Sequence, residues 1–97
     1  MKVIIHAPTH PSLARARTIA DELLNNPTKG SVRILATGGA VTAALDVPEA
    51  KIDRLLILCS RTLERLGAQA PQGAETCLDA NYMLTRLQRK GWLYIRA

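Results

Sequence analysis

Cys59 is the residue with the most chemical promise. It follows the apolar run Leu55-Leu56-Ile57-Leu58 and precedes Ser60-Arg61-Thr62-Leu63, the pattern of a buried strand running into a helix. A thiol at such a junction faces unpaired backbone N–H groups and the positive end of the helix dipole. Arg61 and Arg65 add positive charge nearby. Together these favour the thiolate, the form that a persulfide carrier or redox thiol needs at neutral pH. The plainer alternative is a packed, inert cysteine. Cys77 reads as a core thiol in the middle of a strand, or else as a resolving thiol for Cys59.

The other candidate groups are sparser. His6 and His10 flank the exit of the first expected strand and could move a proton or ligate, although loop and cap roles suit them as well. With Cys59 they would leave a metal one ligand short, so no metal centre is expected. Gly38-Gly39 opens a helix after a strand, so its amides could hold a small anion or simply permit a tight turn. The pair matches neither a dinucleotide-binding fingerprint nor a phosphate loop. No Ser/His/Asp set or pair of carboxylates stands out, and no cofactor is implied.

These residues need elements to position them. Val3-Ile4-Ile5 predicts a strand buried on both faces. Thr9, His10 and Ser12 around Pro11 mark a helix start, and Leu13, Ala16, Ala20 and Leu23 continue at helical spacing until Asn25-Asn26-Pro27. A second strand over Val32 to Ala36 leads through Thr37-Gly38-Gly39 into a short Ala-rich helix that ends at Asp46-Val47-Pro48. The third strand, Leu55 to Leu58, closes at Cys59. Ser60 is the expected cap of a helix through Leu66, with Gly67 as its stop. After a loop over Gln69 to Gly73 come a weak strand at Glu75 to Leu78, a cap at Asp79, a helix from Ala80 to Lys90 and a strand from Trp92 to Ile95.

Five strands alternating with helices predict one α/β domain over residues 1–97, with parallel, right-handed crossovers and helices on both faces. Chemistry in such sheets gathers at the carboxyl ends of the strands. His6 to His10, Thr37 to Ala40 and Cys59 to Arg61 all fall there.

Composition narrows the class of function. Ninety-seven residues suffice for one domain, and 47 % hydrophobic content makes disorder a poor fit. With no Phe, one Trp and two Tyr, the core must be aliphatic, and a small domain of this kind often buries more surface by self-association. Two cysteines cannot build a disulfide scaffold. The opening MKVIIHAPTHP is not a signal peptide, and no apolar run approaches the roughly 20 residues that span a bilayer, so a cytoplasmic protein without a membrane partner is expected. The net charge of +5 permits nucleic-acid binding, but the 13 basic residues are scattered and lack aromatic or helix-turn-helix company. Solvated helix faces explain them, and nucleic acid is not an expected partner.

The ordered segments Val3-Ile4-Ile5-His6, Ala36-Thr37-Gly38-Gly39-Ala40-Val41, Leu58-Cys59-Ser60-Arg61-Thr62-Leu63 and Leu87-Gln88-Arg89-Lys90-Gly91-Trp92-Leu93-Tyr94-Ile95 resemble the DsrE/DsrF-like, or YchN-like, family nearly end to end. The resemblance implies a three-layer α/β/α fold with a five-stranded, largely parallel sheet, assembled as a trimer or hexamer. It also implies a cysteine at the end of the third strand that accepts sulfur from a donor protein and passes it to an acceptor as a persulfide. That role falls on Cys59, with Ser60, Arg61, Gly38, Gly39 and His10 as binding residues. The stretch between Leu45 and Arg54 is shorter than in that family, so a helix there should shrink to a turn. The family's sheet places the third and fourth strands side by side, which predicts that Cys59 and Cys77 lie close without a disulfide. Cys77 would then pack inward while Cys59 points toward the helix N-terminus. The competing expectation is a non-catalytic oligomeric module that binds a small anion or a protein partner.

Overall fold

The computed structural model describes residues 1–26 and 30–97. Pro27, expected to help stop the first helix, lies outside the described residues. The chain runs β1 (Lys2–Ala7), α1 (His10–Leu24), β2 (Ser31–Ala36), α2 (Gly39–Asp46), α3 (Ala50–Asp53), β3 (Leu56–Cys59), α4 (Ser60–Leu66), β4 (Glu75–Cys77), α5 (Ala80–Arg89) and β5 (Leu93–Arg96). The expected three-layer α/β/α architecture is present, with an all-parallel sheet in the order β4-β3-β2-β1-β5.

Each helix boundary has a local cause. Thr9 caps α1 through a reciprocal capping box with Ser12, and Pro11 occupies the first turn, where a missing N–H costs nothing. Asp79 caps α5 by accepting the Tyr82 amide. Gly67 ends α4 with a φ of 63°, a left-handed position that other residues occupy at a cost. Between α2 and β3 the chain forms only the single turn α3. Cys59, rather than Ser60, is the N-cap of α4: its backbone stays extended (φ −70°, ψ 117°), so Ser60 is the first helical residue.

The connections dictate where the helices lie. β1 to β2, β2 to β3 and β3 to β4 all step the same way across the sheet, and right-handed crossovers therefore put α1 to α4 on one face. That face holds the main core: Val3, Ile5, Ile34 and Leu58 under Leu13, Ala16, Ala20, Val41, Ile52 and Leu63. From β4 the chain returns over the whole sheet to β5, so α5 lies on the opposite face. There Ala80, Met83, Leu84 and Leu87 of α5, with Trp92, cover Ile4, Leu35 and Ile57. One helix covers five strands only in part, and no residue of α5 is fully buried.

One charge sits inside the main layer. Arg17 is only 7 % exposed, and its guanidinium makes a two-pronged contact with Asp53, at 3.1 and 3.0 Å, tying α1 to α3. Among the described residues no helix is long and apolar enough to cross a membrane.

Candidate functional site

The return of the chain opens a crevice. β3 hands over to a helix on one face and β4 to a helix on the other, so the two exits diverge above the carboxyl ends of these neighbouring strands. A reversal of this kind is where open parallel sheets bind ligands. A hollow of about 910 Å³ occupies the place, lined by Cys59, by Arg61, Thr62, Glu64 and Arg65 of α4, by Asp79, Ala80 and Asn81, and by His6, Thr37 and Gly38.

Cys59 is the last residue of β3 and only 6 % exposed, and its side chain makes no capping hydrogen bond. It is the register partner of Cys77 in β4. Register partners in a parallel pair project to the same face. Both thiols therefore stand on the α5 side, in the row of Ile57, and Cys77 packs inward against the Ile4, Leu35 and Ile57 cluster, close to Cys59 as expected. Both are free thiols. Burial pushes the Cys77 thiol up to about 11, and the charges of Cys59, Asp79 and Glu75 push the same way.

Charge around the hollow is mixed. Arg61 of α4 and Asp79 at the start of α5 lie 3.6 Å apart across the crevice. Thr62 is buried and accepts from both the Gly38 amide and the Arg65 guanidinium, at 3.3 Å each. Its hydroxyl thus holds the β2–α2 loop against α4. Gly38 has a φ of 52°, and a Cβ there would meet the Pro8 carbonyl oxygen at 2.9 Å, so only glycine fits this approach.

Three of the expected site residues reach the hollow: Cys59, Arg61 and Gly38. The Gly38 amide is already given to Thr62, which removes half of the proposed Gly38-Gly39 anion cradle. Gly39 packs against the backbone of Thr9 and His10 instead. His10 lines a separate hollow beside Pro11, Arg17 and Glu49, and Ser60 lies in the first turn of α4 outside the Cys59 hollow. No group of three His, Cys, Asp or Glu side chains suited to a metal ion occurs among the described residues.

His6, not His10, is the histidine of the site. Its Nε2 is 3.0 Å from the Thr37 hydroxyl and its Nδ1 is 3.0 Å from the Tyr94 hydroxyl. Either neutral tautomer satisfies both contacts, one ring nitrogen donating and the other accepting. Burial lowers the His6 pKa below 6.5, and Arg96, its register partner in β5, lowers it further. The imidazole is therefore neutral at pH 7 and links the rim of the Cys59 hollow to the β5 edge. Tyr94 lies 88 positions away in sequence, and only the parallel pairing of β1 with β5 brings it near. Thr37 and Thr62 carry no sequence signal beyond their nearness to the glycines and to Cys59.

No protein-family model matches this chain, and no curated protein matches it.

Proposed function

We propose that the protein is a sulfur carrier of the DsrE/DsrF-like kind, taking up sulfur on Cys59 as a persulfide and passing it to an acceptor. The observation that carries this reading is the position of Cys59: a thiol at the exit of β3, lining the crevice where the chain reverses direction. Three of the four segments that resemble the family fall at the ends of β1, β2 and β3, beside this crevice, and the fourth runs from the end of α5 into β5.

In the uptake step the Cys59 thiolate attacks the outer sulfur of a donor persulfide. A bond forms between Cys59 Sγ and that sulfur, the donor's S–S bond breaks, and the donor leaves as a thiolate. In the delivery step an acceptor thiolate attacks the same outer sulfur and Cys59 departs as thiolate. Sulfur moves without net oxidation, so no cofactor is needed. Arg61 and Arg65 favour anionic sulfur at the mouth of the hollow, and Thr37 and Asn81 offer hydrogen bonds to whatever enters it. Donor and acceptor are proteins in this reading, the carrier works in the cytoplasm, and it assembles with copies of itself through apolar surface that α5 leaves uncovered.

Cold cyanolysis tests the reading. Protein treated with inorganic polysulfide and desalted should yield about one thiocyanate per chain on addition of cyanide. Cys59→Ser should yield none. Equal yields from both proteins would end the proposal.

A further inference from the structure

Cys77 is a thiol that sulfur carriage on Cys59 does not use, yet it is the register partner of Cys59 on the adjacent strand. Neighbouring strands lie about 4.8 Å apart, inside the window of about 4.4–6.8 Å between Cα atoms that a disulfide spans. Both side chains project to the α5 face, so neither strand needs to rotate for the sulfurs to meet. From this pairing we infer that Cys77 is the resolving thiol of Cys59: it displaces the sulfur leaving group that Cys59 carries and closes a Cys59–Cys77 disulfide.

For a persulfide, which rests on the function proposed above, the Cys77 sulfur loses its proton and attacks Cys59 Sγ. The bond from Cys59 Sγ to the outer sulfur breaks, and that sulfur leaves as HS⁻, taking up the proton as hydrogen sulfide. The outer sulfur is the oxidant: it is reduced to sulfide while the two cysteines become one disulfide. For a mixed disulfide with a small thiol, the small thiol leaves instead, and nothing in this version depends on sulfur carriage.

The surroundings of Cys77 set the pace. Cys59 faces it from β3, Glu75 lies on its own strand and is paired with Arg33 of β2, and Asp79 caps α5 and is paired with Arg61 of α4. The residues packed over it from α5 are apolar. Burial and the charges of Asp79 and Glu75 still hold the Cys77 thiol up when Cys59 carries a group, so only a small fraction of it is thiolate near neutral pH. Closure is then slow at neutral pH, and for a mixed disulfide, whose leaving thiolate needs no proton, it quickens about tenfold per pH unit. Slow closure leaves a persulfide time to reach an acceptor and discharges it when none arrives.

The test uses the full chain as wild type, Cys59→Ser, Cys77→Ser and Cys77→Ala, the last because the Cys77 side chain packs among apolar groups. Each is exposed separately to glutathione disulfide and to inorganic polysulfide between about pH 7 and 9.5, and intact masses are followed without reductant. In the wild type an adduct of about 305 Da or about 32 Da should decay to a chain about 2 Da lighter than the reduced protein, with a peptide map joining Cys59 to Cys77. The polysulfide arm should also release sulfide, and in the glutathione arm the decay should quicken about tenfold per pH unit. Both Cys77 variants should keep their adducts. If polysulfide leaves no adduct while the glutathione adduct is still displaced, sulfur carriage fails and the resolving pair stands. Adducts as durable in the wild type as in the Cys77 variants, disulfides only between chains, or a Cys59 that takes neither group would overturn the pair.

Discussion

The His6 imidazole lies 3.0 Å from the Thr37 hydroxyl, joining the end of β1 to the loop that leaves β2. Because burial and Arg96 hold its pKa below 6.5, the folded chain resists a proton that the unfolded chain accepts. The unfolded state binds more protons as pH falls through about 6.5, so stability must decline there and level off below the folded pKa. His6→Gln keeps hydrogen-bonding capacity but cannot titrate. Urea denaturation from about pH 7.5 to 5 should show a shallower loss for the variant than for the wild type. Parallel profiles would show that His6 titrates alike in both states.

The pair Arg17–Asp53 makes a sharper prediction about stability. Removing one partner leaves the other charge poorly solvated between α1 and α3, where Asp53 also accepts the Glu49 amide at 2.8 Å. Arg17→Ala should cost about 3 kcal/mol in urea denaturation, whereas Arg17→Met with Asp53→Leu should recover most of it. A single-variant cost under about 0.5 kcal/mol would mean that the contact is no stronger than an ordinary surface pair.

Anionic sulfur donors should feel the cations of α4. Replacing Arg61 and Arg65 together by Ala should slow uptake from inorganic polysulfide about threefold to tenfold, and added salt should slow the wild type toward the variant. Rates unchanged by both treatments would remove these arginines from the site.

Self-association should follow from what α5 fails to cover. Leu78 is 74 % exposed and Tyr82 66 %, with Leu93 and Tyr94 exposed at the other sheet edge. Light scattering at micromolar concentration should give a multiple of 10.6 kDa, with a trimer or hexamer expected. A mass of 10.6 kDa would contradict this.

What the sequence revealed and what it hid divide along sequence distance. Cys59 was legible because its signal is local: four apolar residues, a thiol, then a helix start. The capping box of Thr9 and Ser12 and the stop at Gly67 were legible for the same reason. The cap of α4 moved by one residue, from Ser60 to Cys59, because only the backbone angles at the junction decide where the helix begins. Arg17 read as one more charged residue on a helix, since nothing near it announces Asp53 36 positions later. His6 was underrated because its partners, Thr37 and Tyr94, arrive from two other strands. The facing of Cys59 and Cys77 depends on strand register, which a shift of one residue would reverse.

The central claim is that Cys59 carries sulfur, and intact mass on the Cys77→Ser chain measures it most directly, since closure to a disulfide cannot discharge the adduct there. After treatment with inorganic polysulfide near pH 7.5 and desalting, the chain should gain about 32 Da, mapped to the peptide that contains Cys59, and should lose it on addition of an acceptor thiol. No gain in mass, or the same gain when Cys59 is also replaced by Ser, would contradict the account.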